Sequence, residues 1–407
     1  METNNNKNLN IPAIAFIFLI MVVMAITDNL KGAFIPTYKK IFSVNDINVG
    51  YMITAASIGY IIFTYIGGFL CEKIGQKKVV ILGMIAMLSG LTILSQANSF
   101  TMVIMGTVVN SIGVSLISIG ANTIAPVLFI SYQAILMNLT HFCYGLGSAT
   151  GQRFVGIMIG RGMDWRKIFV FVAAAVLVVL IAFLFVKVPS VHEENKNSKI
   201  NIREIFSNKL IYLYTIALGF YIGAEWCTGN WFMNYTDKVF NFDQSSGSYY
   251  AALFFTTFAI GRFIGGFIVE KTGYLRSVMV SLIAALVVYF FGISMGIGGV
   301  MFISLSGIFF AIVFPTVILT VNKVFKENTA YITGTIITLA SILSTVINLL
   351  MGYLNKFIGV KNAFYAVPVC LAVALVFVFI IHNNTKEYLY DATYDNIKKT
   401  KFNINIA

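Results

Sequence analysis

Long apolar runs, each of about 20 residues, recur along the whole 407-residue chain. A run of that length spans a hydrocarbon core of about 30 Å as an α-helix, because lipid offers no hydrogen-bond partner and a helix satisfies its own backbone groups. Hydrophobic residues make up 58% of the chain and charged residues 11%, with a mean hydropathy of +0.85. The pattern therefore predicts an all-α polytopic membrane protein and excludes an ordinary soluble domain.

Twelve such runs fit in the sequence, six on each side of one long polar segment. We predict spans at 11–38, 48–70, 79–96, 101–130, 133–160 and 168–186, and at 211–235, 247–269, 278–297, 300–321, 330–354 and 362–381. The polar segment 189–209 is rich in Glu, Asn, Lys and Ser, which predicts a cytoplasmic linker. The predicted organisation is a half at 1–188, the linker, a half at 210–382 and a polar cytoplasmic tail at 383–407.

The basic residues lie between the spans rather than on one continuous face. With the N-terminus inside, 17 of the 28 Lys and Arg lie on inner segments and eight on outer segments, while Lys31, Arg153 and Arg262 lie within predicted spans. This asymmetry predicts that both termini are cytoplasmic. The net charge of +12 then fits anionic lipid headgroups of a cell (plasma or inner) membrane, and no segment is typical of a nucleic-acid interface.

A nine-residue segment occurs twice, 198 residues apart. The first copy, 67–75, reads GGFLCEKIG, and the second, 265–273, reads GGFIVEKTG. Each copy ends the second predicted span of its half. The repeat predicts two six-helix halves related by parallel duplication, an organisation found in transporters whose substrate site lies near the middle of the membrane.

A glycine, an acid and basic residues follow one another in a fixed order around the first copy. Gly68 precedes Glu72 by four residues, and Lys73, Gly75 and a basic cluster come next. This order resembles the cytoplasmic loop motif of the major facilitator superfamily, although Glu72 stands where that family most often has Asp. The resemblance implies a gate at the inner face formed by both copies. Its residues are Gly68, Glu72, Lys73, Gly75, Arg262, Glu270, Lys271 and Gly273.

Further motifs lie in five of the predicted spans. They are Gly120-Ala121-Asn122, Asn138-Leu139-Thr140-His141-Phe142 with Gly145-Leu146-Gly147, the set Tyr221, Gly223, Glu225, Gly229, Trp231 and Tyr235, then Gly261-Arg262, and Gly307 with Pro315. They resemble the fucose permease-like branch of that superfamily, whose members are proton-coupled sugar symporters. Two positions depart from the branch, since Ser118 lies where a glutamate is frequent and Gln152 where a proline is usual. Another carboxylate must therefore accept a coupling proton, or transport is uncoupled.

The resemblance implies a monomeric secondary transporter for a sugar or related polyol, driven by protons, with sodium as an alternative ion. Exporters of amphipathic drugs or lipids are a second class, favoured by 36 Phe and 16 Met but opposed by the polar helix faces. An integral membrane enzyme would need a clustered nucleophile and base or metal ligands, and the predicted spans hold one histidine. We therefore expect no catalytic residue, cofactor or metal site, and we interpret the four cysteines as small buried hydrophobes.

Two carboxylates lie within the predicted spans, Asp28 in the first and Glu225 in the seventh. Under the 198-residue offset they fall on neighbouring positions of the two halves, so we expect both to face one central cavity. A carboxylate inside the membrane is costly and usually functional, which makes both candidates for proton coupling. Asp28 has an alternative, because Lys31 one turn away can pair with it. Glu225 has no such neighbour in sequence.

Polar residues follow single faces of spans 4 and 5 at steps of three and four. Such a face can bind a hydroxylated substrate, but small polar residues also join membrane helices. Arg153 could pair with Asp28 or bind an anionic substrate, whereas Arg262 is expected to pair with loop acids at the inner gate. Aromatic rings around Glu225 could contact a sugar or face lipid. The candidate substrate residues are Asn122, Asn138, His141, Gln152, Arg153, Tyr221, Trp226 and Trp231.

The charge asymmetry generates a test of topology. Single cysteines placed in 189–209 and in the tail after His382 should react with a membrane-impermeant maleimide only from the cytoplasmic side. Labelling of either position from outside the cell would reverse the predicted orientation.

Overall fold

The computed structural model describes residues 11–128, 133–188, 207–325 and 329–404, which form helices joined by short connections. The helices of the first part of the chain are α1 Ile11–Ala33, α2 Ile35–Phe42, α3 Asp46–Ile74, α4 Gln76–Ser95, α5 Phe100–Leu128, α6 Gln133–Gly160 and α7 Trp165–Leu184. Those of the second part are α8 Lys209–Phe240, α9 Gln244–Thr272, α10 Tyr274–Ser294, α11 Val300–Leu305, α12 Gly307–Phe310, α13 Val313–Val324, α14 Thr329–Phe357, α15 Val360–Ala363 and α16 Ala366–Ile404.

Eleven helical stretches of the described residues are long and apolar enough to cross a membrane. The protein is therefore a multi-pass membrane protein. The predicted fifth span corresponds to α6, a helix of 28 residues that is not one of these eleven. The count of twelve spans thus stays a prediction. Helix α16 continues through the predicted polar tail to Ile404, and the cytoplasmic location of the tail stays a prediction.

The predicted first span is divided into α1 and α2. Pro36 lies in the first turn of α2, where its missing N–H costs nothing, but the same residue could not continue α1 without losing a hydrogen bond. Ser43 ends α2 in the left-handed conformation with φ 51°. A capping box then starts α3, in which the Asn45 side chain accepts from the Asn48 N–H at 3.0 Å.

The predicted tenth span is broken more strongly. A 3-10 turn at Gly296–Gly299 leads into α11, α12 and α13, three short helices where the sequence predicts one continuous span at 300–321. Pro315 lies in the first turn of α13 and has no N–H to donate to the preceding turn. The break leaves backbone carbonyl groups within a predicted membrane span, where they need other donors.

The repeated segment has the same backbone in both copies. Gly75 ends α3 with φ 85° and ψ 149°, and Gly273 ends α9 with φ 88° and ψ 151°. A side chain at either glycine would be strained at these positive φ angles. In each copy the glycine N–H donates to the carbonyl four residues earlier, at 3.1 Å to Cys71 and 2.9 Å to Val269. The sequence duplication is thus a structural duplication at this point.

Glycines bring helix backbones together. A Cβ atom built at Gly113 of α5 would lie 2.5 Å from the backbone N of Met87 on α4. Gly147 of α6 lies against Val22 of α1 in the same way, and Gly151 against Ile26. Small residues at such contacts let membrane helices gain close packing, which replaces the hydrophobic driving force that lipid removes.

The described helices form two compact units. The first contains residues to Asn195 together with Asn230–Ala259, and the second contains Lys196–Gly229 and Ile260 onward. The C-terminal part of α8 and the N-terminal part of α9 therefore belong to the first unit. Most of the predicted linker lies outside the described residues, so the domain boundary at 189–209 stays a prediction.

The close approach of α4 and α5 predicts the effect of one added methyl group. Gly113→Ala should lower the free energy of unfolding by about 1–3 kcal/mol, the range seen for overpacked sites. Gly334→Ala on α14 is the matched control, because none of the atoms that the structure describes lies within 4 Å of its Cβ position. Thermal unfolding in detergent should show the loss at Gly113 alone, and equal melting temperatures of both variants would contradict the packing argument.

Candidate functional site

The charged cluster of the first unit is centred on Asp28 of α1. Its carboxylate forms an ion pair with the Lys31 ammonium on the same helix, and both side chains are mostly buried. The Tyr144 hydroxyl of α6 donates to the other carboxylate oxygen at 3.0 Å. The alternative that Lys31 is a partner of Asp28 is thus what the structure shows. The carboxylate thus has donors from both α1 and α6.

Tyrosine, serine and asparagine side chains extend this cluster across α3 and α5. The Tyr60 hydroxyl, within electrostatic range of Asp28, donates to Ser118 Oγ at 3.4 Å. The Asn122 amide donates to the same oxygen, also at 3.4 Å. Ser118 therefore accepts from two groups, whereas a glutamate at this position would add a second carboxylate near Asp28.

The polar face predicted along α6 contacts α1. Asn29 donates to Ser148 Oγ at 3.0 Å, and the Gln152 amide donates to the Asn29 carbonyl at 3.4 Å. Gln152 is fully buried, and its Oε1 has no hydrogen-bond partner among the described residues. These contacts join α1 and α6. The Gln152 Oε1 can still accept a hydrogen bond from a ligand or water.

The charged cluster of the second unit is centred on Glu225 of α8. Arg262 of α9 lies within electrostatic range of the carboxylate, and the Tyr221 hydroxyl, one turn earlier on α8, is within hydrogen-bonding reach of it. The sequence suggested a lone acid, and that premise is wrong. Arg262 was expected to pair with loop acids; it lies within electrostatic range of Glu225, and its pairing with loop acids stays a prediction.

The aromatic candidates differ in exposure. Tyr221 and Trp231 are fully buried, and Trp226 is half-buried. Tyr221 donates to the Phe310 carbonyl at 2.6 Å. The faces of Tyr221 and Trp231 are covered by protein in this conformation, so Trp226 is the aromatic candidate with an accessible surface.

Arg153 of α6 binds the start of α9. Its guanidinium donates to the Ser245 carbonyl at 2.9 Å and lies 5.8 Å from the centroid of the Tyr249 ring. Asp243 caps the same helix end by accepting from the Ser246 N–H at 3.1 Å, and hydrogen bonds from the Ser246 side chain and then from its backbone lower the pKa of the carboxyl. Pairing of Arg153 with Asp28 is thus not what the structure shows, because the guanidinium is held by α9.

The gating residues lie at the ends of α3 and α9. Lys73 lies 5.9 Å from the centroid of the Phe69 ring, and Glu270 and Lys271 are exposed. No atom of the described residues lies within 4 Å of a Cβ atom at Gly68. The side chain of Glu72 lies outside the described residues. The gating role of this set stays a prediction.

Asn138 and His141 are the two remaining substrate candidates of α6. The side chain of Asn138 lies outside the described residues, and His141 is half-buried on α6. Asp28 belongs to the first unit and Glu225 to the second, so the cavity they were predicted to share stays a prediction.

Tyr144 is the functional candidate that the sequence analysis missed. It lies three residues after His141 and four before Ser148, so it has the spacing of the polar face that was recognised. A tyrosine in an apolar span is usually interpreted as packing, which hid the signal. The hydroxyl contact to Asp28 gives it a role in the cluster.

Two units of membrane helices, each with a mostly buried acid, base and tyrosine hydroxyl, are the architecture of a membrane transport protein. The sequence profile of the Major Facilitator Superfamily matches residues 17–345. The chain belongs to this superfamily. The superfamily, together with relatives that include a glucose/galactose transporter and a fucose:proton symporter, makes the protein a transporter and not an enzyme.

Similar proteins come from yeast and bacteria. "Bypass of stop codon protein 6" of Saccharomyces cerevisiae is 24% identical over 281 residues, which are 62% of this chain and 56% of the yeast protein. A glucose/galactose transporter of Brucella abortus is 23% identical over 390 residues, which are 91% of this chain and 94% of that protein.

Solved structures share the fold at lower identity. The fucose:proton symporter of E. coli has a TM-score of 0.66 at 17% identity, covering 92% of this chain and 99% of the symporter. A bacterial homologue of the human lysosomal transporter Spinster has a TM-score of 0.77 at 13% identity, covering 95% and 99%. At these identities the likeness establishes the fold alone.

The Asp28–Lys31 ion pair predicts non-additive mutations. Asp28→Asn leaves a mostly buried ammonium without its partner and should lower the free energy of unfolding by about 1–3 kcal/mol. The double variant Asp28→Asn with Lys31→Gln should lose less than the sum of the single losses, by about 1 kcal/mol. Thermal unfolding of all three variants measures this coupling, and strictly additive losses would show that the pair is not stabilising.

Proposed function

We propose that the protein is a secondary active transporter that moves a sugar or sugar-like compound across the cell membrane by proton-coupled alternating access. Twelve spans, cytoplasmic termini and two halves that rock about a site near the middle of the membrane belong to this proposal. Membership in the superfamily and the charged clusters of both units support it.

Glu225 is the observation on which the coupling role depends. It lies in the interior of α8, in a window of the helix apolar enough to cross a membrane. The free energy of gaining or losing a proton at such a carboxylate depends on its burial and on its attraction to Arg262. Protonation removes its attraction to Arg262, and this change can bias one conformation over the other.

Asp28 is less suited to the same task in this conformation. Lys31 and Tyr144 both contact its carboxylate, so freeing this acid for another partner requires breaking two favourable contacts. We therefore assign Asp28 first to the substrate side and Glu225 to the proton. Sodium remains the alternative ion, distinguished by which gradient drives uptake.

The substrate class follows from the donors and acceptors of the first unit. Tyr60, Ser118, Asn122 and Gln152 offer hydroxyl and amide groups beside a charge-compensated pair. Such groups suit a hydroxylated neutral compound, since each sugar hydroxyl both donates and accepts. The relatedness to a glucose/galactose transporter and the fold of a fucose:proton symporter support this assignment. They do not favour export of amphipathic compounds.

The coupling role predicts a separation of binding from accumulation. Glu225→Gln keeps the shape of the protonated acid but cannot release a proton, so uphill sugar uptake driven by a pH gradient should vanish. Binding or exchange of substrate should stay within about tenfold of wild type, because the hydrogen-bonding shape of the site is retained. Proteoliposomes with glucose, galactose and fucose measure both quantities.

Asp237→Asn is the matched control for this variant. It removes a carboxylate at the far end of the same helix, where Asp237 is partly exposed and contacts Lys238. Its accumulation should equal that of wild type. Unchanged accumulation by Glu225→Gln, with the same pH dependence, would remove Glu225 from the coupling mechanism.

A further inference from the structure

The break in the predicted tenth span exposes two carbonyl groups that other helices serve. The Phe309 oxygen accepts from Ser281 Oγ of α10 at 2.8 Å, and the Phe310 oxygen accepts from the Tyr221 hydroxyl of α8 at 2.6 Å. Inside a membrane such side-chain donors replace the helical hydrogen bonds that a break removes. The geometry of the break between α12 and α13 therefore depends on Ser281 and Tyr221.

The Tyr221 hydroxyl has two neighbours but one proton. Besides the Phe310 carbonyl, it lies within hydrogen-bonding reach of Glu225. A phenol can donate one hydrogen bond and accept others, whereas an ionised carboxylate can only accept. Tyr221 and Phe310 are both fully buried, which restricts access of water as a substitute partner. The two neighbours therefore compete for one donor whenever Glu225 is ionised.

We infer that Tyr221 is a positioning residue that transmits the protonation state of Glu225 to the break between α12 and α13. When Glu225 holds a proton, its own O–H can donate to Tyr221, and Tyr221 keeps donating to the Phe310 carbonyl. When the proton leaves to water, the carboxylate attracts the Tyr221 proton more strongly than a neutral carbonyl does, and Phe310 loses its donor. The inference rests on the proposed coupling role of Glu225.

Arg262, the charged residue within electrostatic range of Glu225, lies near the same break in the tenth span. Arg262 lies on α9 next to Gly261, and a Cβ atom at Gly261 would lie 2.5 Å from the Ile308 carbonyl oxygen of α12. The backbone of α9 thus touches the broken span beside Arg262. Ionised Glu225 attracts Arg262 of α9 and Tyr221 of α8 together. A single proton on Glu225 therefore affects both α8 and α9.

A fluorine label on the broken span can report this change without any substrate. Ile308 is the exposed residue of α12. The variant Ile308→Cys is made in a protein whose four native cysteines are replaced by alanine, and the new thiol is labelled with a trifluoroethylthio group. In the otherwise unchanged protein, the ratio of two ¹⁹F NMR signals should change by about fivefold or more between about pH 5 and about pH 9, a range that brackets a carboxylate within a membrane span.

Tyr221→Phe removes only the hydroxyl and should reduce this pH response to less than about twofold. Tyr214→Phe is the matched control, because Tyr214 is also buried on α8 and its hydroxyl donates to Thr320 of α13 at 3.1 Å. It should respond to pH as the unsubstituted protein does. Glu225→Gln should show the low-pH signal ratio at every pH.

A wild-type pH response in Tyr221→Phe overturns the inference, and so does a lack of response in the unsubstituted protein. If Tyr221→Phe fails to fold in a thermal unfolding assay, Glu225→Asp decides, since it keeps the charge but withdraws the carboxylate from Tyr221 by one methylene. That variant should also lose the response, and a retained response overturns the inference. The sugar-uptake assay of Glu225→Gln is independent, so the proposed function can stand while Tyr221 is excluded as the link.

Discussion

The cost of leaving a polar group without a partner in hydrocarbon governs this structure. Each described span is helical because only a helix satisfies its own backbone there. The charged residues within the spans obey the same constraint, since Asp28 is bound by Lys31 and Glu225 lies beside Arg262. Even the broken span obeys it, because side chains of α8 and α10 supply donors to its freed carbonyls. What is specific to this protein lies in how these requirements are met.

Each of the two units contains one copy of the repeated segment, but the units differ in their chemistry. Gly75 and Gly273 have nearly identical backbone angles, which confirms the repeat seen in the sequence. The acid of the first unit is paired within its own helix, whereas the acid of the second lies beside a base from the next long helix. A pair on one helix keeps its spacing when helices move, whereas a base on another helix can move away. This asymmetry is why we assign the substrate to one side and the proton to the other.

Close packing through glycine gives the helices their relative positions. Gly113 and Gly147 place backbones in contact within the first unit, and Gly261 does so beside Arg262 in the second. Contacts of this kind are stiff, because no flexible side chain lies between the helices to absorb a displacement. A change at one charged residue is therefore passed to its helix rather than absorbed locally.

The sequence by itself determined the membrane class, the repeat and the superfamily, because hydropathy and short motifs are local properties of the chain. It also located the carboxylates Asp28 and Glu225, since a charge in an apolar run is visible without a structure. Only the tertiary structure decided their partners. Arg262 and Tyr144 come from other helices, and the contact between Tyr221 and Phe310 depends on a backbone break that one-dimensional hydropathy does not register. Partner choice follows from helix packing, and helix packing is set by contacts between residues far apart in the chain.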